Sequence, residues 1–376
     1  MGVTRRDLLA AGAALAAFPA GAQGAPDWYR RAIVIDGLSG PVDPYASVDA
    51  SGLPTTPRLS DRARAEFRMT GVTAINATVP AIGNAPGVWL ELLDLTARFD
   101  AVIASNPDLL VQVRRAADIE EAKRADRFGV IYGVQDSSMV GSALDRLAMM
   151  KARGFRIVQL TYNLKNLSGS GALAREDSGV TELGRATIAR IEEERLLLDL
   201  SHGGPRTIAE AIAFARRPMT ISHTGARALH DHPRNVADAA MRAVADKGGV
   251  VGIYFMPFLA AGSQPTGEDL VRHIEHAANV AGEDHVAIGT DGGPIPLVID
   301  AAARERQRAD HARRAAAGFA APGEGPDVFT VVMDYNRLDR LPRLADALMA
   351  RGWTQARVEK LLGLNLLRLY REVWGA

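Results

Sequence analysis

Two histidines stand at equivalent places in consecutive apolar segments of the sequence. His202 closes the segment LLLDLSH, and His223 lies near the end of the segment MTISHT. If both segments are parallel strands, the two imidazoles lie side by side at one edge and face a shared cavity. Two imidazoles with one oxygen ligand form a common catalytic metal site, and imidazole suits zinc and similar ions. The pair therefore favours a binding site over a purely structural role.

Other apolar segments also end in polar residues, although buried strands are mostly aliphatic. These endings are Asp36, Asn76, Gln135-Asp136, Tyr162-Asn163, Ser201, Ser222 and Thr290-Asp291. Barrel enzymes carry their catalytic groups at the C-terminal ends of the strands, where the loops converge. Polar side chains collected at one edge therefore indicate an active site. Most of the remaining histidines are predicted to be surface or capping groups; they are His230, His232, His273, His276, His285 and His311.

The elements that position these residues are short segments rich in Val, Ile and Leu, which alternate with helical patterns. The segments are Arg31–Gly37, Val72–Thr78, Gly129–Gln135, Phe155–Asn163, Leu196–His202, Met219–Thr224, Val250–Phe255 and His285–Asp291. Their weak polar alternation is typical of strands buried on both faces. Eight such strands separated by helices predict an α/β fold, a (β/α)8 barrel of the TIM type. A doubly wound sheet is the alternative, but no GxGxxG follows the first strand.

Composition narrows the class of protein. Of the 376 residues, 47% are hydrophobic and 23% are charged, as in soluble globular proteins. Lys+Arg and Asp+Glu number 44 each, so no overall field attracts nucleic acid, and nucleic-acid binding is not expected. The chain has no cysteine, which excludes thiolate metal sites.

Residues 1–22 are predicted to be a signal peptide of the twin-arginine type. Arg5-Arg6 precedes a run of Ala, Gly and Leu, and Ala20-Gly21-Ala22 resembles a cleavage site. The apolar run is too short and too rich in Ala and Gly for a stable membrane span. An Ala-rich N-terminal helix is the alternative. Export would deliver a periplasmic or secreted protein.

Residues 23–376 are predicted to form a single barrel domain with an insertion at 294–326. The insertion follows the last strand and contains an Arg/Ala-rich helical pattern at Ala301–Ala317. At the C-terminal face of a barrel, an insertion of this length is placed to act as a lid or specificity loop. A solvated surface helix is the equally weighted alternative.

A nearly continuous series of motifs runs from Gly154 to Asp291. It reads GFRIVQLTYNLKN, LLLDLSHGGPRT, MTISHTGARALHDHPRN, KGGVVGIYF and HIEHAANVAGEDHVAIGTDGG, and a closing helix carries Asn365. This series resembles the membrane dipeptidase (renal dipeptidase) family of metal-dependent peptidases. The resemblance implies a distorted barrel of the metallo-dependent hydrolase type, binuclear zinc ancestry and a dipeptide-like substrate. It also suggests a homodimer.

The resemblance implies a role for four residues. His202 and His223 match the histidines that hold the second metal. Arg234 matches the arginine that pairs with the terminal carboxylate of the substrate, a task that suits the guanidinium fork. Asp291 matches the aspartate that manages the proton of the attacking water.

The sequence departs from the family at the other metal site. Leu38 and Gly40 replace a His-x-Asp metal pair, Gln135 replaces the bridging glutamate, and Tyr162 replaces a substrate-contacting histidine. Two adjacent dications need carboxylates between them, so the first metal site is predicted to be lost. The remaining residues predict one zinc ion, bound by His202, His223 and Gln135, with Asp291 as ligand or proton shuttle. The alternative is that no metal is bound.

Three functions stay open at this stage. The first is a mononuclear metallohydrolase for a dipeptide or related small amide, in which Tyr162 donates a hydrogen bond to the oxyanion. The second is a non-hydrolytic enzyme, such as an isomerase, a lyase or an enzyme that matures an exported peptide-like metabolite. The third is a metal-free binding protein. Metal content discriminates between the first and the other two.

Overall fold

A computed structural model of the protein describes residues 25–48, 54–262, 264–318 and 320–375. The predicted signal peptide, residues 1–22, lies outside this part of the chain and stays a prediction. Nine strands form one sheet within it: β1 Ile35–Ser39, β2 Ala74–Thr78, β3 Leu110–Val113, β4 Phe128–Val134, β5 Phe155–Gln159, β6 Leu197–Asp199, β7 Thr220–Thr224, β8 Val250–Ile253 and β9 Val286–Ile288.

Eight of these strands form a closed parallel barrel. They pair in the order β1-β2-β4-β5-β6-β7-β8-β9. The ring closes where Ser39 pairs with Gly292 and where the Asp291 amide donates to the Leu38 carbonyl over 2.9 Å. Every segment that was predicted to be a strand overlaps one strand of the barrel, and the predicted (β/α)8 fold is confirmed.

The sequence analysis missed β3. This strand pairs with the first half of β4, with Leu110 opposite Phe128, while β5 pairs with the second half. The middle residues of β3, Val111 and Gln112, are only partly buried. A strand at the bottom of a barrel, half exposed and only four residues long, lacks the continuous apolar run that marks the other strands.

Helices connect the strands, and most of them cover the outer face of the barrel. Their bounds are α1 Asp27–Arg31, α2 Asp61–Thr70, α3 Val88–Ser105, α4 Ala116–Arg124, α5 Arg146–Ala152, α6 Glu182–Glu193, α7 Pro205–Phe214, α8 Asp238–Asp246, α9 Gly267–Ala281, α10 Ala301–Ala316, α11 Arg340–Ala350, α12 Gln355–Glu359 and α13 Asn365–Trp374. Most bury one face; α10, in the insertion after β9, has no buried residue. Of the helices described, none is both long and apolar enough to cross a membrane.

Glycines allow the barrel to narrow around β7. A Cβ atom added to Gly252 on β8, or to Gly289 after β9, would lie 2.0 Å from the backbone oxygen of Ser222. A Cβ on Gly37 of β1 would lie 2.9 Å from the Ile288 oxygen. Glycine in a strand permits such a close approach of another backbone. The strand that carries His223 is therefore held firmly against its neighbours.

We predict that Gly252→Ala lowers the free energy of unfolding by about 3 kcal/mol, because the added methyl overpacks against a rigid backbone oxygen. Gly292→Ala is the matched control, since a Cβ there meets nothing within 4 Å. Urea unfolding of the two variants and the parent protein measures the difference. Equal unfolding midpoints for the two variants would contradict this account of the narrowed barrel.

Candidate active site

The two predicted histidines lie side by side at the C-terminal end of the barrel. His202 follows β6 and His223 is part of β7, and both are buried. Their ring centroids are 4.9 Å apart. The backbone of His202 has a φ of 62°, in the left-handed region that residues other than glycine rarely adopt. Such a strained conformation at the end of a strand is typical of functional sites.

Both rings carry their proton on Nδ1. His202 Nδ1 lies 2.6 Å from Asn163 Oδ1, an atom that only accepts, so the ring nitrogen donates. His223 Nδ1 lies 2.8 Å from Ser222 Oγ, whose own proton goes to the Asp199 carboxylate. The serine oxygen therefore accepts from His223. With Nδ1 protonated in a neutral ring, Nε2 carries a free lone pair.

These two lone pairs have no partner in the described part of the chain. The Nε2 atoms of His202 and His223 are both buried without a hydrogen bond. Burial holds the pKa of each ring well below its ordinary value, and the positive charge of Arg234 lowers the pKa of both rings further. The rings are therefore neutral near pH 7. Two neutral nitrogens that point lone pairs into one space are suited to a metal ion or to a hydrogen-bond donor of a ligand.

Tyr162 lies against this pair. Its ring stacks on that of His202, with centroids 4.3 Å apart and an angle of 25° between the planes. Arg314 of α10 donates from Nη1 to the Tyr162 hydroxyl over 3.5 Å. The phenol is thus positioned by a neighbouring ring and by a guanidinium from the insertion after β9.

Arg234 is a buried guanidinium with unused donors. Within the described residues, its Nε and Nη2 atoms have no hydrogen-bond partner. Its Cζ lies 5.8 Å from the ring centre of Tyr254 and 6.0 Å from that of Phe258. The Arg234 backbone is fixed because its amide donates to His232 Nδ1 and its carbonyl accepts from a threonine hydroxyl. A buried cation with free donors between aromatic rings is suited to a ligand carboxylate.

Asp291 follows β9, and its carboxyl lies close enough to Arg234 and Arg314 for their charges to act on it. It is partly exposed, has a φ of 58°, and follows Thr290, whose amide and hydroxyl both donate to the buried Asp36 carboxylate. Partial desolvation of the carboxyl raises the pKa of Asp291 to about 6, and the positive charges of Arg234 and Arg314 oppose that rise. A carboxyl with a pKa near 6 can both accept and return a proton at neutral pH.

Comparison with known proteins places the chain in a family. A sequence profile of the membrane dipeptidase family (peptidase family M19) matches residues 59–303, well over half of the chain. The chain belongs to the membrane dipeptidase family. It is a hydrolase of that family, as the resemblance in the sequence implied.

Relatives with known names or structures agree with this membership. A dipeptidase (ataJ) of Aspergillus terreus is 26% identical over 308 residues, which span 76% of this chain and 66% of that protein. An amidohydrolase structure from Pseudomonas aeruginosa is 29% identical, with a TM-score of 0.77 over 93% of this chain and 98% of that chain. A metallopeptidase structure from Rhodobacter sphaeroides, bound to a phosphinate mimic of L-Ala-D-Ala, is 19% identical. Its TM-score is 0.71, over 91% of this chain and 100% of that chain, and it shows the shared fold.

The residues of the present chain do not fit the binuclear metal centre of the family. Leu38 is buried and apolar, and Gly40 has no side chain. Across the described residues, no group of three His, Cys, Asp or Glu side chains is placed to hold a metal ion. His202 and His223 offer two nitrogen ligands for a single ion. The Gln135 amide nitrogen donates to a threonine hydroxyl over 3.0 Å, which leaves its oxygen available, and Gln135 as a third ligand stays a prediction.

Asp136 does not restore the lost negative charge. Its Oδ1 accepts from the Ser137 amide and from the Asn166 side chain, and its Oδ2 accepts from the Gly83 amide. Its carboxylate organises the loops after β2 and β4.

Several residues of the site were not found from the sequence. Asn163 orients His202 and was visible only as one polar residue at a strand end. Arg314 lies in a helix with several other arginines, and nothing in the sequence distinguishes it from them. Most of the remaining histidines were predicted to be surface or capping groups; His232 and His273 are buried, and their rings bond backbone amides and carbonyls. His273 Nδ1 accepts a hydrogen bond from the Ala226 amide, and its Nε2 bonds the carbonyl of Leu259. The ring therefore connects two loops beneath the site.

We predict that nitrogen NMR at pH 7 on protein stripped of metal shows both rings as neutral tautomers with the proton on Nδ1. Ser222→Ala removes the acceptor for His223 alone and should shift the His223 signals while those of His202 stay in place. His202 is thus an internal control. A ring protonated on Nε2 in the parent protein would contradict the hydrogen-bond assignment.

Proposed function

We propose that the protein hydrolyses a small peptide-like amide that ends in a free carboxylate, using at most one metal ion. One observation carries the proposal. The buried donors of Arg234 and the lone pairs of His202 and His223 lie at the mouth of one barrel, and none of the residues that the structure describes bonds to them. Such buried, unused polar atoms need a ligand to compensate their loss of water.

Each side chain has a role that follows from its surroundings. Arg234 binds the substrate carboxylate and so fixes the position of the scissile amide. Tyr162, held by the stack on His202, donates to the carbonyl oxygen as negative charge develops on it. Asp291, with a pKa near 6, removes a proton from the attacking water and delivers one to the leaving amine.

Zinc on the two histidines would supply hydroxide, since a bound ion lowers the pKa of its water to about 7. The orientation of both rings suits this task, because Asn163 and Ser222 each hold Nδ1 and leave Nε2 for the ion. We also propose that the protein acts outside the cytoplasm, in the periplasm or in the medium. The twin arginines and the small residues of segment 1–22 support this location.

We predict about one equivalent of metal per chain when the purified protein is analysed by plasma mass spectrometry for zinc, iron, manganese and copper. His223→Ala should lose the ion. His276→Ala is the matched control and should keep it, because that histidine pairs with Asp238 on the outside of the barrel. No bound metal, even after incubation with each ion, would leave metal-free chemistry. The replacement of the first-site ligands by Leu38 and Gly40 favours the non-hydrolytic alternative in that case.

We predict that Arg234→Lys raises KM about 10- to 100-fold with a smaller effect on kcat. A lysine cannot grip both carboxylate oxygens, and a lost charge-assisted hydrogen bond is worth about 1.5–3 kcal/mol. The same amides with a blocked, uncharged C-terminus provide the control, since they should react equally poorly with both proteins. A variant that retains the KM of the parent for the free acid would show that the carboxylate lies elsewhere.

A further inference from the structure

The insertion after β9 contributes a second guanidinium to the site. Arg314 of α10 donates from Nε and Nη2 to the two Glu324 oxygens over 3.0 and 2.9 Å. Its third nitrogen, Nη1, reaches the Tyr162 hydroxyl. The carboxylate of Glu324 thus holds one edge of the guanidinium and turns the other edge toward the barrel. A bidentate pair of this kind fixes the orientation of an arginine precisely enough for recognition.

The two arginines flank the histidine pair from opposite sides. Tyr162 follows β5, His202 follows β6 and His223 is in β7. Tyr254, over which Arg234 lies, follows β8. Because these strands are neighbours in that order around the barrel, Arg314 stands at the β5 end of the row and Arg234 at the β8 end. A substrate whose carboxylate is bound by Arg234, and whose amide lies over the histidines, therefore extends toward Tyr162 and Arg314.

The β5 end of the row is poorly suited to an ammonium group. The Glu324 carboxylate is already paired with Arg314 through both oxygens. Gln135 is a neutral amide, and the oxygens of Asp136 are held by loop amides. On Arg314 the free amine of a dipeptide would meet donors and no acceptor, because a guanidinium has no acceptor atom. An acceptor or an anion would instead receive hydrogen bonds from Arg314 and from the Tyr162 hydroxyl.

We propose that the substrate is an N-acylated amino acid whose acyl group carries a second carboxylate, and that Arg314 determines this specificity. This inference rests on the proposed function. In the reaction, one water is consumed, the amide C–N bond breaks, the acyl part leaves as a carboxylate and the amino acid leaves with its amine protonated. The insertion is then a specificity element that closes the β5 side of the pocket.

The test uses three compounds that share alanine as the amine component, each as a racemate: glycyl-alanine, N-acetyl-alanine and N-succinyl-alanine. They present an ammonium, a neutral methyl and a carboxylate to the β5 end. Calorimetric Kd and kcat/KM are measured for the parent protein, for Arg314→Gln and for Arg308→Gln. Arg308 is the matched control, because it lies on the same helix and pairs with Asp327 at the surface. Circular dichroism checks that both variants are folded.

The parent protein should bind N-succinyl-alanine at least about tenfold more tightly than glycyl-alanine, the effect of one charge-assisted hydrogen bond. Arg314→Gln should remove most of that difference, and Arg308→Gln should leave it unchanged. Equal or tighter binding of glycyl-alanine would overturn the inference, and its preferred hydrolysis would do so while supporting the proposed function. Preferential binding of N-succinyl-alanine without hydrolysis of any compound would support the ligand class and refute the hydrolytic function.

Discussion

Burying a polar atom without a partner costs about 1–3 kcal/mol, and among the described residues neither His202 Nε2 nor His223 Nε2 at the barrel mouth has a partner. The surrounding structure is arranged to hold these atoms in place. Ser222 Oγ accepts a hydrogen bond from His223 Nδ1 and donates one to Asp199. The buried Asp199 carboxylate also accepts from Ser201. The close contact of β8 and β9 with the backbone of Ser222 fixes the strand itself. A site kept at such a cost is built for a ligand.

Leu38, Gly40 and Gln135 remove negative charge from the pocket relative to the family pattern. Carboxylates between two dications compensate their repulsion, so a chain with Leu38, Gly40 and Gln135 in those positions also loses the reason to keep two ions. What remains is a neutral imidazole pair between two guanidiniums, with Asp291 as the ionisable carboxyl beside Arg234. Arg234, whose Nε and Nη2 atoms have no partner among the described residues, makes such a pocket suited to an anionic ligand group, while Glu324 offsets the charge of Arg314.

The insertion after β9 contacts residues that hold both arginines of the site. His232 stacks on Phe258 with ring centroids 4.5 Å apart, bonds the Arg234 amide on one nitrogen and donates to the Pro322 carbonyl from the other. Pro322 lies close in sequence to Glu324, the partner of Arg314. The residues that hold Arg234 and those that hold Arg314 therefore belong to one contiguous network. A movement of the insertion would change the positions of both arginines.

Much of the fold was available from the sequence, because strands buried on both faces must be apolar and their helices must alternate with them. The eight barrel strands were found for that reason, and β3 was missed because two of its four residues are partly exposed. Family membership and the missing ligands at Leu38, Gly40 and Gln135 were also legible, since residue type alone decides whether a side chain can bind a metal.

The sequence alone determined that His202 and His223 end neighbouring strands, and hence that they share a site. Only the tertiary structure decided which ring nitrogen of each is free, because that depends on Asn163 and Ser222 as hydrogen-bond partners. It also decided that His232 is buried and that Arg314, among the arginines of α10, faces the pocket. These facts depend on contacts between segments far apart in the chain, and local pattern carries no record of them.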